Sequence, residues 1–451
     1  MGLNSFAIIF SPNLSYKINH MFKQLLIISA YLLFITTNSE AQKALKFIQQ
    51  NETERIEKYL SSDELGGRQI YTPGIEKAAN FIANEFKQNG LSTFKNSGSY
   101  LQNFSRISTK FLAASGNFDG NDIDTKNIIS LTVEPNLNIN ENSGYEIVKI
   151  AKDENLFLSV RKLMTNNKNY LILVDESFAT NFGRLVQFKS GLNEQQKSVF
   201  IVLTHQTPVK FQLQATHKID KLSLSNVVGV IPGKSLPNEY VIFSGHYDHL
   251  GINGKRAING DSIYNGANDD AAGTTAMIIL SKYFSALANN ERTLVFAAFT
   301  AEESGGFGAQ YFSKQFDPLQ VKAMFNIEMI GTESKWGKNS AYITGFDKTD
   351  MGAILQRNLE GTDFQFYPDP YTDQNLFYRS DNATLARLGV PAHTISTSKM
   401  DSEPNYHQPS DEFSTLDIEN MTQIIKAIAK SAQSIISGKD TPSRVDTTQL
   451  K

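Results

Sequence analysis

Apolar positions change their period along this chain, and the changes mark out its elements. Residues 54–62, "ERIEKYLSS", and residues 75–90, with Ile75, Ala79, Ile82 and Phe86 at helical spacing and Gly90 as a stop, predict two helices. A glycine-rich loop, "DELGGRQIYTPG" (63–74), joins them. Residues 110–224 are rich in Asn, Ser and Lys, with short apolar runs such as "YLILV" (170–174) and "SVFIVL" (198–203), and predict a smaller strand-rich module. From about residue 225 the pattern alternates. Strand runs "NVVGVIPG" and "YVIFSG" are followed by a helix (271–287), a strand (292–300), a helix (308–316) and a strand (322–331). Helices at 351–360 and 382–389, a short strand at 391–397 and an amphipathic helix at 416–437 complete the series. Such alternation predicts an α/β domain, in which ligands bind at the C-terminal ends of strands. The polar tail, 439–451, is expected to fray.

The start of the chain reads differently. Met21-Phe22-Lys23 precedes the apolar run "LLIISAYLLFI" (25–35), with Ser39 and Ala41 at the small-residue positions before a cut. Residues 1–41 are therefore expected to be a leader, with Met21 a candidate true start and cleavage after Ala41. The mature protein would be exported, periplasmic or extracellular, with no stable membrane span. Composition narrows the chemistry. Cysteine is absent, which excludes disulfides, thiolate nucleophiles and cysteine-based zinc sites. A net charge of −3 provides no basic footprint for nucleic acid.

Polar residues gather after the apolar runs. "SGHYDHLG" (244–251) brings His246, Asp248 and His249, and "NGANDDAAG" (265–273) brings Asp269 and Asp270 ahead of a helix. "AEESGG" (301–306) carries Glu302 and Glu303, "FNIEMIG" (325–331) places Glu328 inside an apolar strand, and "NYHQPSDEF" (405–413) carries His407 and Asp411. Singly, each has an ordinary reading: a polar strand end, a helix N-cap, solvated acids at a loop mouth. Together they have one common explanation, cations held by imidazole and carboxylate, a donor set that suits zinc, with manganese or cobalt as substitutes.

The order His-x-Asp, Asn-Asp-Asp, Glu-Glu, an acid before Met-x-Gly, and a late His resembles the M28 family of di-zinc metallopeptidases, over about residues 50–105 and 225–437. The resemblance implies a three-layer α/β/α zinc-peptidase fold with a central mixed sheet. Its peptidase domain would comprise 42–109 and 225–438, interrupted by a protease-associated-like module at 110–224. It implies two zinc ions: His246 and Glu328 on one, Glu303 and His407 on the other, and Asp269 bridging. Glu302 would be the general base. Asp248 would fix the His246 ring, Asp270 would hold the turn and Asp411 would orient the His407 loop, while His249 is left as a surface or supporting residue. Relatives often carry Asp where this chain has Glu328. The implied activity is that of an aminopeptidase, removing N-terminal residues from peptides with a free N-terminus. The alternatives are a glutaminyl cyclase-like single-zinc acyltransferase and a non-catalytic binding relative, and metal content separates the three. A serine hydrolase is disfavoured, since no Gly-x-Ser-x-Gly elbow is present. Residues 369–382 are expected to line the pocket, and their aromatics, Tyr371, Phe377 and Tyr378, to belong either to that lining or to the core.

Overall fold

The computed structural model describes residues 45–192 and 194–450. The expected leader, 1–41, lies outside them. Two compact units are present: residues 103–224 form one, and the chain before and after them forms the other.

The larger unit starts with α1 (Gln50–Leu60) and α2 (Pro73–Gln88), the latter with proline in its first turn, where a missing N–H costs nothing. Its sheet is built from the last residues, from Ser225 on, of β1 (Phe211–Ile231) and from β2 (Leu236–His246), β3 (Arg292–Phe299), β4 (Val321–Ile327), β5 (Ser340–Ile343), β6 (Gln365–Pro368) and β7 (Ala392–Ser396). The order is β6-β5-β7-β4-β2-β3-β1. β2 lies between β3 and β4 and is parallel to both, and β7 is parallel to β4. The last stretch of β1, Val227–Ile231, runs antiparallel to β3, and β5 runs antiparallel to β7, so the sheet is mixed.

Successive residues of a strand face opposite sides, and here both sides are buried. Val241 and Phe243 of β2, Phe296 of β3 and Phe325 of β4 pack with α1, α2, α3 (Ala272–Leu287), α5 (Met351–Asn358) and α7 (Ile418–Ser431). Ile242, Val295 and Met324 face the other way, against α4 (Phe307–Ser313) and α6 (Asn382–Ala386). The result is a three-layer α/β/α domain. Phe243 is in register with Phe296 and Phe325, and its ring stacks on both, at 5.4 and 4.8 Å between centroids.

Two expectations need correction. The tail does not fray. Arg444 donates to the carbonyls of Pro318 and Val321, Arg357 pairs with Asp440 at 2.6 Å, and Val445 is buried. Arg292, buried at the start of β3, finds partners there in the Asp440 carbonyl and Thr441. The closing helix is also broken, at Ala432, into Ile418–Ser431 and Gln433–Ile436.

The smaller unit holds a four-stranded sheet in the order Ile128–Leu131, Val199–Leu203, Tyr170–Val174, Glu146–Ile150. The first pair is antiparallel and the others parallel. Its two central strands are the runs read from the sequence, and every residue in them is buried because apolar clusters cover both faces. Among the described residues no helix is long and apolar enough to cross a membrane.

Candidate metal centre

β2, β3, β4 and β7 are mutually parallel neighbours, so their C-terminal ends open on one edge of the sheet, and each delivers a polar residue there. His246 is the last residue of β2, in register with Phe299, the last of β3. Glu302 and Glu303 follow three and four residues later. β4 ends at Ile327, which corrects the expectation for Glu328: it is the first residue beyond the strand, with its N–H donating to the Ile395 carbonyl. Asp269 and Asp270 lie in an irregular turn, Ala267–Ala271, that leads into α3, and the peptide between them is cis. His407 stands in the loop after β7.

Sharp turns aim these side chains. Ala301, Met329 and His407 have φ of 59°, 53° and 56°, a left-handed conformation uncommon outside glycine. Close approach matters too: a Cβ on Gly273 would sit 2.0 Å from the Ile327 carbonyl oxygen, so only glycine lets α3 begin against the end of β4.

Five of the expected ligands converge. The Asp269 carboxylate faces two imidazoles, with Oδ1 3.2 Å from His246 Nε2 and Oδ2 3.3 Å from His407 Nε2. Glu303 Oε2 is 3.2 Å from the same His407 nitrogen. His246, Asp269 and Glu328 each offer a ligand atom within 4.8 Å of the others. So do His249, Asp269 and Glu303.

The supporting acids hold backbone. Asp270 accepts from the N–H groups of His246, Gly273 and Met329, tying the end of β2 to α3 and β4. Asp411 accepts from the N–H groups of Asn268 and Asp269, so it fixes the turn that carries Asp269, in addition to standing in the His407 loop. Asp248 differs from expectation. His246 Nδ1 donates to the Asp248 main-chain carbonyl at 3.1 Å, while the Asp248 carboxylate, 3.9 Å away, accepts instead from the Glu302 N–H. Its side chain therefore positions the Glu302–Glu303 turn.

Two residues escaped the sequence reading. Arg68, from the glycine-rich loop, is fully buried, and its guanidinium donates to the carbonyls of Leu60, Tyr247, Asn265 and Gly266. It clamps the loops that carry His246 and Asp269. The only sequence signal was an arginine beside two glycines. His249, expected at the surface or in support, is 2% exposed with Nδ1 2.9 Å from Glu303 Oε1.

The cluster is dense in acid. Burial pushes the Glu302 carboxyl well above its ordinary value; His246 opposes this, and Glu328 and Asp381 add to it. Burial also raises Glu328 and Asp270. At Asp269 burial acts in the same direction, but the His246 and His407 imidazoles that face its two oxygens outweigh it and hold the carboxyl well below the usual range. Burial would lower His407, yet Asp269 and Glu303 lift it to about 10. Buried carboxylates at this density need cations or protons.

The fit to a metal can be tested on the orphaned atoms. His246 Nε2, both nitrogens of His249 and Glu303 Oε1 are buried without a hydrogen-bond partner. Nitrogen and carboxylate oxygen stand close without the geometry of a hydrogen bond, the arrangement an intervening cation satisfies. A pocket beside Glu328 is lined by Met329, Tyr342, Leu376, Arg379, Met400 and Tyr406 among others. Leu376, Arg379 and Ser380 bring the 369–382 segment to this pocket, and of its aromatics Tyr371 and Phe377 are buried in the core.

The sequence between these elements has known counterparts. Residues 226–432 match the family model described as "Peptidase family M28". Over these residues the chain is similar to that family. The chain is 31% identical over 220 residues to a "Probable leucine aminopeptidase" of Trichophyton verrucosum (strain HKI 0517), covering 46% of this chain and 57% of that one. It is 33% identical over 112 residues to a "Probable zinc metalloprotease" of Pyrenophora teres f. teres (strain 0-1), covering 24% and 23%. The chain thus spans little more than half the length of the first of these relatives, and less of the second. Among solved structures, an "Aminopeptidase from Aneurinibacillus sp. strain AM-1" superposes with a TM-score of 0.52 at 16% identity, covering 91% of this chain and 98% of that one, a likeness of fold.

Proposed function

We propose that this protein is an exported zinc aminopeptidase that uses two metal ions and a glutamate base. The observation that carries the reading is the Asp269 carboxylate, whose two oxygens face two different imidazoles, with further acids on each side. His246, Asp269 and Glu328 would hold one ion, and Asp269, Glu303 and His407 the other. When bound, two zinc ions supply Lewis acidity that polarises the scissile carbonyl and makes water acidic near neutral pH. Similarity to a "Probable leucine aminopeptidase" and a "Probable zinc metalloprotease" supports the same chemistry.

The chain's own residues account for the proton. Glu302 neighbours a ligand, and its main chain is held by Asp248. It takes a proton from the attacking water and hands it to the leaving amine, so no net proton is consumed at that carboxylate. Ser380 donates a hydrogen bond to Glu328 and fixes that carboxylate. The excess of buried acid provides a counter-charge for a free N-terminal ammonium, which favours exopeptidase action. The pocket beside Glu328, with Tyr342, Leu376, Met400 and Tyr406 in its lining, would take an apolar first side chain. Export rests on the apolar run 25–35 ahead of Ala41.

Metal analysis combined with a panel of aminoacyl and N-blocked substrates tests the reading. Two zinc ions per chain, hydrolysis confined to free N-termini, and loss of hydrolysis on chelation with recovery on zinc are expected. One ion per chain with cyclisation of N-terminal glutamine would favour the single-zinc acyltransferase. Undiminished hydrolysis after thorough metal removal would sink the metal mechanism.

A further inference from the structure

We infer that His249 is a metal ligand, the fourth protein donor of the subsite formed by Asp269, Glu303 and His407, so that the two subsites differ in coordination. This rests on the reading of the cluster as a metal centre and goes beyond it, because the ligand set derived above contains one histidine per ion.

A buried imidazole ordinarily satisfies both nitrogens, as His393 does in the same domain, with Nδ1 on the Thr344 carbonyl and Nε2 on the Thr349 hydroxyl, both at 2.8 Å. His249 satisfies neither. Its Nδ1 is 2.9 Å from Glu303 Oε1, close enough for a hydrogen bond but without the geometry of one, and that oxygen has no other partner. His246 shows the same signature toward Asp269: a separation of 3.2 Å, no hydrogen bond, and an unpartnered Nε2. One ligand atom each from His249, Asp269 and Glu303 falls within the same 4.8 Å span as the trio around His246.

The ring is also held in place. Its main-chain N–H donates to the Arg68 carbonyl, and Gly266, at φ 57°, lies so close that a Cβ there would stand 2.5 Å from the ring. The His407 ring meets it edge to face at 5.8 Å. Together with His407, the trio of His249, Asp269 and Glu303 would offer two imidazoles and two carboxylates, the number of donors that zinc ordinarily takes in a structural site. The other subsite, with His246, Asp269 and Glu328, offers three protein donors and would leave a position for water and substrate. The four-donor subsite should therefore fill first and hold its ion more tightly.

The test uses the full chain, stripped of metal and loaded with one equivalent of zinc. X-ray absorption counts the imidazoles bound to that zinc, and competition with a chromophoric chelator measures its affinity. Two imidazoles are expected in the wild type, and one in His249→Ala. Loss of a supporting partner weakens zinc binding about 10–100-fold, so loss of a ligand should weaken the first site by more than about 100-fold. The wild-type count stands even if the variant folds poorly. One imidazole in the wild type, or unchanged affinity in a folded variant, overturns the inference and leaves the metal reading standing. A wild-type chain that takes up no zinc overturns both.

Discussion

His393 shows how a single side chain carries pH dependence. It is buried in β7, and burial brings its ring down to about 4, against an ordinary 6.5. A carbonyl can only accept, so Nδ1 carries the proton and Nε2 accepts from Thr349, which leaves a neutral ring satisfied on both sides. Below pH 6.5 the unfolded chain takes up a proton that the folded chain refuses. This contribution to stability is therefore full above pH 6.5 and is lost as pH falls toward 4, by roughly 3 kcal/mol. Urea unfolding followed by Trp336, the sole tryptophan, should show a shallower fall over this window in His393→Gln than in the wild type. Equal falls would assign the dependence elsewhere. Adjacent glutamates are also separable at this scale. Glu302→Gln should keep both zinc ions and lower kcat roughly 10²–10⁴-fold, the usual loss for a general base, with little change in KM. Glu303→Gln should lose zinc. Zinc stoichiometry beside steady-state kinetics decides the matter: the opposite pattern reverses the two roles, and two fully active variants end the catalytic reading of this turn.

Between elements, the Arg68 clamp is the telling device. The helices α1 and α2 bear none of the ligands, yet the loop between them sends one guanidinium to the carbonyls of Tyr247, Asn265 and Gly266. It thus ties the end of β2 to the turn before α3. Removing it would orphan those buried acceptors at about 1–3 kcal/mol each. Arg68→Leu is expected to cost roughly 3–5 kcal/mol in all, since some acceptors will find water. It should also weaken zinc binding, because the His246 and Asp269 loops lose their common brace. Calorimetry and a zinc titration on the same preparation check this. A variant as stable as the wild type, with unchanged zinc affinity, would show that the strands alone position the loops.

For the molecule as a whole, the cluster predicts that zinc contributes to folding as well as to chemistry. The buried acids Asp248, Asp269 and Asp270 lie beside Glu302, Glu303 and Glu328, so removing metal leaves like charges to repel. At a free zinc concentration 1,000-fold above Kd, each site stabilises the folded chain by about 4 kcal/mol. Chelation should then lower the Tm by roughly 10 °C per site at the scale of 2–4 °C per kcal/mol. Differential scanning calorimetry with and without chelator measures it, and an unchanged Tm would mean that the cluster holds no metal in the folded state.

Much of this was legible beforehand. Strand runs such as "YVIF" and "TLVFAAF" are recognisable because a parallel strand covered on both faces must be apolar throughout, and the helices because one apolar stripe must face the sheet. The order of His246, Asp269, Glu303, Glu328 and His407 was readable for a related reason: buried polar groups are costly, so five of them after apolar runs ask for a shared explanation. Burial along a chain is a one-dimensional signal. It cannot say that β2 would lie between β3 and β4, nor which of two histidines in "HYDH" would turn toward Glu303. It could not foresee that a carbonyl of Asp248, rather than its carboxylate, would hold the His246 ring, because backbone groups look alike in every sequence. The roles of Arg68 and His249 and the docking of the polar tail were decided only by tertiary structure. In each case what counts is the direction of a donor or acceptor toward a partner distant in the chain, and that direction exists only once the strands have taken their places.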